Sequence, residues 1–524
     1  MAVPAAASVR DTNVYRPPEV TGLVDLLDRQ VRERPYARAL VVTGERVHLS
    51  YRGLAGLADD VAARLGRTGL RRGDAVGLIC ANTAEFVVAL LGAARAGLVV
   101  APLDPALPAS QLDARLRGLG ARAALVGPSV VDAVLPVPVW PVRVDVSRAG
   151  TAAVMLETGD VADVSGAARE LSDRDALVLF TAGTTDRAKM VPITHSSLAA
   201  SVQGICATYE LSPADATVAV MPLFHGHGLF AALLASLASG GCVLLPERGR
   251  FSASTFWDDM RAVTATWFTA VPAIHEILLD RSERESPGPR TPPLKFVRSC
   301  SAPLNTATQR ALERTFGAPL LSAYGMTESS HQATSEPLPQ RGELKQGSVG
   351  RPTGVEVRVV DRNGRACPVD VEGEVWVHGP TVARGYLGDR DATSSVFVDG
   401  WLRTGDLGTL DKDGYLSLTG RIKNLINRGG EKISPEHVED ILAGCPGVAA
   451  AAVFAVPDAV YGQRVGAAVV LREGEGVGPA EILRYCRDRL AAFEVPDRLE
   501  VVAALPYTAK GGLDRKAVRA RYAP

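Results

Sequence analysis

The sequence predicts an α/β protein of two or more domains. A large N-terminal domain of mixed, mainly parallel sheets with helices precedes a small C-terminal α+β domain. Three observations carry this reading. The chain has 524 residues, more than a single hydrophobic core usually serves. Strand-like Ala75 to Cys80, helical Glu85 to Ala96 and strand-like Val99 to Leu103 follow one another as in a parallel βαβ unit. Val355 to Asp361 and Glu374 to His378 instead alternate apolar and polar residues, as half-buried antiparallel strands do.

Taken in order, residues 1 to about 20 read as a loose leader. Gly22 to Arg34 carries Leu23, Leu26, Leu27 and Val31 at helical spacing. Arg72-Gly-Asp74 is a turn, and Gly97 ends the helix before it as a C′ glycine would. Ala176 to Phe180 is too short for a helix and branched enough for a buried strand. Thr217 to Pro222 reads as a further strand, leading into Leu223-Phe-His-Gly-His-Gly-Leu229. Beyond residue 420, Pro435 to Ala443 and Ala480 to Leu490 read as helices and Val448 to Val456 as a strand.

Composition narrows the class. Hydrophobic residues make 47% of the chain and charged residues 22%, ordinary for a soluble globular protein. A net charge of −1 implies no polyanion surface, hence no nucleic-acid partner. The seven Cys form no CxxC and no metal spacing, which fits reduced thiols in a cytoplasm. No apolar run reaches the ~18 residues that span a bilayer, and Met1 to Val9 lacks the basic and long apolar regions of a signal peptide. His225 and His227 stand two apart, with no third ligand nearby to complete a metal site.

The chemistry starts at Leu177 to Pro192. The strand empties into Thr181, Gly183, Thr184 and Thr185, a small hydroxyl-rich turn of backbone N–H and O–H donors, with Lys189 beyond it. Such donors cradle phosphate, although an ordinary polar loop has the same composition. This stretch resembles the phosphate-binding loop of the adenylate-forming superfamily: acyl-CoA synthetases, luciferases and peptide-synthetase adenylation domains. Four more segments resemble that superfamily's motifs in the same order: Ser322-Ala-Tyr-Gly-Met-Thr-Glu328, Trp401-Leu-Arg-Thr-Gly-Asp406, Gly420-Arg421-Ile-Lys423 and Arg428-Gly-Gly-Glu-Lys-Ile-Ser-Pro435. Val47-His-Leu-Ser-Tyr51 is similar to the acyl-CoA synthetase pattern in which Ser-Tyr opens a helix. The wording of 223–229, 249–257, 265–272, Ser299-Cys-Ser-Ala302 and Met326-Thr-Glu-Ser-Ser-His331 looks most like the oxalate–CoA ligase branch.

The resemblance implies an ATP- and Mg2+-dependent reaction in which an acid is adenylated, pyrophosphate leaves, and the acyl group passes to an acceptor such as CoA. It implies that Thr181, Gly183, Thr184 and Thr185 hold phosphates, with Lys189 as a cation. Ser301, Ala302, Ala323, Tyr324, Gly325 and Met326 would line the nucleotide, Tyr324 beside adenine. Thr327 would bind the α-phosphate, Glu328 the Mg2+, and Asp406 the ribose hydroxyls with Arg421 as its partner. The implied domains are an adenylation core over residues 1–420 and a mobile lid over 421–524, hinged at Lys423. His225, His227, Ser301 and His331 stand where fatty-acid enzymes need apolar walls, so they imply a small anionic acid with no alkyl tail. The partners expected are that acid and a nucleophilic acceptor, with the protein a monomer or homodimer.

The sequence also departs from the superfamily. The catalytic lysine near the C-terminus is replaced by Gly512, within Leu505-Pro-Tyr-Thr-Ala-Lys-Gly-Gly-Leu-Asp-Arg515. Lys510, two residues earlier, would face the same side of an extended segment. Asp186, Ala188 and Met190 also differ from the usual phosphate loop, and Asp186 puts a negative charge near a triphosphate. Three functions stay open on these residues. They are ligation of an oxalate-like acid to CoA, adenylation of nitrite for transfer to an aromatic amine as in the diazotases of secondary metabolism, and nucleotide binding without catalysis.

Overall fold

The computed structural model describes residues 19, 21–42, 47–128, 130, 134–146, 152–163, 166, 170–181, 188–284, 292–472, 474, 476–507 and 512–523. Its first sheet has seven strands, in the spatial order Ala152–Leu156, Val139–Val146, Ala123–Val126, Ala75–Ile79, Val99–Leu103, Asp175–Phe180, Met190–Thr194. The inner pairs are parallel and the two outermost pairs antiparallel. The βαβ unit is present, with the helix Ala84–Arg95 between its strands and Gly97 at φ +76 behind it. The helix is apolar almost all round because it is buried between the sheet and the helix Tyr51–Leu65, which Ser50 caps through a bond from the Gly53 N–H.

Two more sheets complete the inner core. In one, Arg38–Val42 lies between Val47–Ser50 and Cys242–Leu245, with Ala216–Val218 beyond. In the other, Trp267–Ala270, Phe296–Cys300 and Leu320–Tyr324 run parallel, followed by the short antiparallel strands Thr334–Ser335 and Arg351–Pro352. The strand expected over Thr217 to Pro222 is shorter than the sequence indicates. The Asn82 amide donates to the carbonyls of Ala219 and Met221, and its oxygen accepts from the Leu223 N–H, so a side chain replaces the ladder there. An antiparallel sheet built from Glu356–Val360, Gly373–His378, Phe397–Val398, Trp401–Leu410 and Leu416–Arg421 follows, as the alternation predicts.

The C-terminal segment forms its own sheet, dominated by the long hairpin Val448–Asp458 and Gly462–Leu471. Pro435–Ala443 is helical to the predicted residues, with Pro435 in the first turn and Ser434 as cap. The second predicted helix runs over Pro479–Arg487, starting one residue before and ending three residues before its expected 480–490 span. Among the described residues no helix is long and apolar enough to cross a membrane.

Candidate functional site

The parallel strands Trp267–Ala270, Phe296–Cys300 and Leu320–Tyr324 end at one level, with Ser299 beside Ala270 and Cys300 beside Ala323. Ligands of such sheets bind beyond the carboxyl ends of the strands, where Ser301-Ala302 and Gly325-Met326 emerge. Ser301 takes φ +76, and Ser330 and His331 are both left-handed at φ +51 and +84. Three non-glycine residues in that region within one site are strain held by the surrounding structure. Gly325 makes the crossing possible: a Cβ there would sit 1.5 Å from the His331 carbonyl oxygen.

On the nucleotide side, Tyr324 donates its hydroxyl to Asp406 Oδ2 at 2.6 Å, and Arg421 Nε meets Oδ1 at 2.7 Å. Asp406 is buried. Burial pushes its carboxyl up, against the pull of Arg421 and the Tyr324 hydroxyl. Asp406 and Arg421, which the sequence places at a ribose, and Tyr324, which it places beside adenine, are thus in one bonded chain. Lys423 follows in a single tight turn, Ile422–Asn424, close enough to feel Arg421 and Lys189 as repelling charges and Asp406 and Glu328 as attracting ones.

At the base of the expected phosphate loop, Thr181 N–H donates to the Lys189 carbonyl and Lys189 N–H to Thr181 Oγ1. Gly183, Thr184, Thr185 and Lys510 lie outside the described residues. Lys189 stands with its ammonium 4.4 Å from the ring centre of Tyr386, whose hydroxyl donates to Glu328 Oε1 at 2.8 Å. Glu328 is 7% exposed, in the turn Thr327–Ser329. Segment 381–387 stitches the two halves together. Leu387 N–H donates to the Met190 carbonyl, Ala383 N–H to the Glu328 carbonyl, and Ser330 Oγ to the Thr381 carbonyl. Tyr386 carries no motif in the sequence. Only its distance to Glu328 in the fold identifies it.

His227, Ser301 and His331, expected around the acid, lie together around a residue that sequence reasoning missed. His227 Nδ1 is 3.1 Å from Ser301 Oγ, and the rings of His227 and His331 stack at 5.3 Å. Behind them lies Arg298, 0% exposed. Its Nε donates to Tyr209 Oη, its Nη1 to Thr269 Oγ1 and His227 Nε2, and its Nη2 to His331 Nε2 and Gln332 Oε1. Five donors meet five neutral acceptors, and no carboxylate is among them. Parallel register sets Thr269 directly beside Arg298. His227 opens a π-helical segment, His227–Leu234, of the kind that recurs at functional sites. His225 lies upstream with its ring edge-on to Phe224, and the His227–Ser301–His331–Arg298 bonds do not include it. The available signal was a lone arginine inside an apolar strand, Phe296-Val-Arg-Ser-Cys300. Among the described residues no group of three or more His, Cys, Asp or Glu could hold a metal.

A family model for the AMP-binding enzyme matches residues 27–387, and one for the AMP-binding enzyme C-terminal domain matches 437–511. The chain is 43% identical to an oxalate–CoA ligase of Arabidopsis thaliana, over 95% of this chain and 98% of the relative. It is 37% identical to an oxalate–CoA ligase of Saccharomyces cerevisiae, over 86% and 87%. The crystal structure of ATP-bound MatB from Rhodopseudomonas palustris superposes with a TM-score of 0.81 at 28% identity, over 96% of this chain and 99% of that one. The resemblance read from five short motifs therefore extends over nearly the whole length. The chain belongs to the AMP-binding, adenylate-forming enzyme family, as an AMP-forming ligase of the acid–CoA ligase kind.

Proposed function

We propose that the protein activates a small acid of the oxalate type as its adenylate and transfers it to CoA. The observation that carries this reading is the cluster around Arg298: a buried positive charge, two imidazoles and the Ser301 hydroxyl where an alkyl chain would need apolar walls. Relatives named as oxalate–CoA ligases support the same acid. A carboxylate oxygen attacks the α-phosphorus of ATP, the bond to the β-phosphate breaks, and pyrophosphate leaves. The CoA sulfur then attacks the adenylate carbonyl, AMP departs, and the thiol proton passes to solvent.

The chain's residues divide this work by position. Thr181, Gly183, Thr184 and Thr185 donate to phosphates, and Lys189 is a cation beside them. Ser301, Ala302, Ala323, Tyr324, Gly325 and Met326 line the nucleotide, and Thr327 takes the α-phosphate. Asp406, oriented by Tyr324 and Arg421, accepts from both ribose hydroxyls. Glu328, a hard oxygen donor with Tyr386 on one oxygen, would hold a Mg2+, which would supply positive charge against the phosphates. His227, Ser301 and His331 meet the acid, with His225 at the edge. Residues 1–420 form the core and 421–524 the lid, with Lys423 as pivot. Lys510 supplies the cation that Gly512 does not.

The test is pyrophosphate release with ATP and Mg2+ over a panel of acids including oxalate, malonate, acetate and nitrite, first without acceptor and then with CoA. Oxalate-dependent release followed by a thioester is the expected result. No oxalate signal refutes the proposal, and a nitrite signal raised by an aromatic amine replaces it with diazotisation. Lys510→Ala with unchanged adenylation removes that residue from the mechanism.

A further inference from the structure

The five donors of Arg298 fix more than its own position. A guanidinium has no acceptor, so every bond it makes is a donation. His227 Nε2 and His331 Nε2 must therefore both present lone pairs to it, at 3.2 and 3.1 Å. Thr269 fits the same arrangement. Its oxygen accepts from Arg298 Nη1 at 3.1 Å, and with Nε2 already an acceptor its own proton is free to point at His227 Nε2 at 2.6 Å. A ring whose Nε2 accepts, and which remains neutral, carries its proton on Nδ1. The Nδ1 edges face away from Arg298. That of His227 points at exposed Ser301, and that of His331 lies beside Gly226.

We propose that Arg298 is the positioning residue of the acid site: it holds His227 and His331 as Nδ1–H tautomers, so the far carboxylate of the acid meets two fixed N–H donors and the Ser301 hydroxyl while the positive charge stays one layer behind. This rests on the reading that a small anionic acid occupies the site. With all five donors committed, Arg298 acts through the imidazoles, and its charge remains without a counterion until the acid arrives. A buried charge in that condition favours an incoming anion strongly and a neutral or alkyl-tailed acid not at all.

The electrostatics agree. Burial first, and Arg298 second, hold both imidazoles well below the ordinary histidine range. The other titratable groups facing His227 are His331, His275 and His225. Those facing Arg298 are Tyr209 and Cys300. None is a carboxylate that would pull a proton onto either ring.

Two measurements test the proposal. The first is long-range 1H–15N NMR on the unliganded full-length protein labelled with 15N-histidine, the two resonances being assigned with His227→Gln and His331→Gln. Two neutral Nδ1–H rings that do not titrate between about pH 6 and 8 are expected. An Nε2–H tautomer or an imidazolium at either position overturns the proposal. The second is kinetic. Arg298→Met should raise KM for the acid about 10- to 100-fold, the loss expected for charge-assisted hydrogen bonds, with kcat much less affected. It should also make KM more pH-dependent than in the native protein, falling toward acid pH as imidazoles freed of Arg298, though still buried, protonate more readily. Arg298→Lys keeps the charge without the fork and should fall between the two. A KM that stays flat with pH in a folded Arg298→Met overturns the proposal. If Arg298→Met does not fold, the NMR result on the native protein decides alone. Oxalate turnover with Nε2–H rings would sink this inference and spare the function. Nδ1–H rings without oxalate turnover would do the reverse.

Discussion

Replacing Tyr386 by Phe removes one hydroxyl and leaves the ring that faces Lys189 and packs edge-on to Phe397. The lost bond is the 2.8 Å donation to Glu328 Oε1. Because Glu328 is 7% exposed, water replaces the donor poorly. A hydrogen bond to a charged group contributes about 1.5–3 kcal/mol. At about 1.4 kcal/mol per tenfold, that is a loss of roughly 10- to 150-fold in whatever the oriented carboxylate does. If Glu328 holds the phosphate-bridging metal, the loss appears in kcat/KM for ATP, measured as acid-dependent pyrophosphate release, and in the Mg2+ concentration needed for half-maximal rate. KM for the acid should change little. A folded Tyr386→Phe with unaltered kcat/KM for ATP and unaltered Mg2+ dependence would refute the placement of Glu328 and Tyr386 at the phosphates.

Three further outcomes follow from the geometry. Gly325→Ala puts a Cβ 1.5 Å from the His331 carbonyl oxygen and should lower stability in chemical denaturation by more than about 3 kcal/mol. Gly317→Ala, at φ +64 with nothing within 4 Å of the new Cβ, should lower it by only about 1 kcal/mol, and equal losses would discount the clash. Burial raises the Glu336 carboxyl from 4.5 to about 7, so the stability carried by its neutral form is present below about pH 4.5 and fades as pH rises through 7. Glu336→Gln should therefore gain on the native protein by up to about 3 kcal/mol between pH 5 and 8 in thermal melts, and a pH-independent difference would contradict this. Lys423→Pro should preserve one half-reaction and slow the other roughly tenfold or more, because a fixed φ cannot serve two lid positions; equal loss of both would argue against a pivot at Lys423.

What the sequence made legible was what lies in contiguous runs. The βαβ unit, the Ser50 cap and the helix Pro435–Ala443 are encoded locally by periodicity, capping residues and proline position. So are the motifs holding Tyr324, Glu328, Asp406 and Arg421. His227, Ser301 and His331, which the fold brings together, stood out in the sequence because their polarity conflicts with a family expectation. The rest was invisible because it depends on register between distant segments. Arg298 acquires meaning from Thr269 on the next strand, Tyr209 on a helix and Gln332 beyond a left-handed turn. Tyr386 does so from a loop that returns across the site. The Thr217–Pro222 strand failed for the same reason, since Asn82 lies well over a hundred residues away.

The five-point anchoring of Arg298 also bears on how this protein can change. A longer acid needs room where the guanidinium now sits, yet replacing it orphans acceptors on a strand, two helices and a turn at once. No single substitution leaves the neighbours satisfied. Variants that merely trim His227 or His331 would strip away recognition while leaving the plug in place. If the site takes a short acid as proposed, a lineage or an engineer moving to longer acids must exchange Arg298 and several of its partners together.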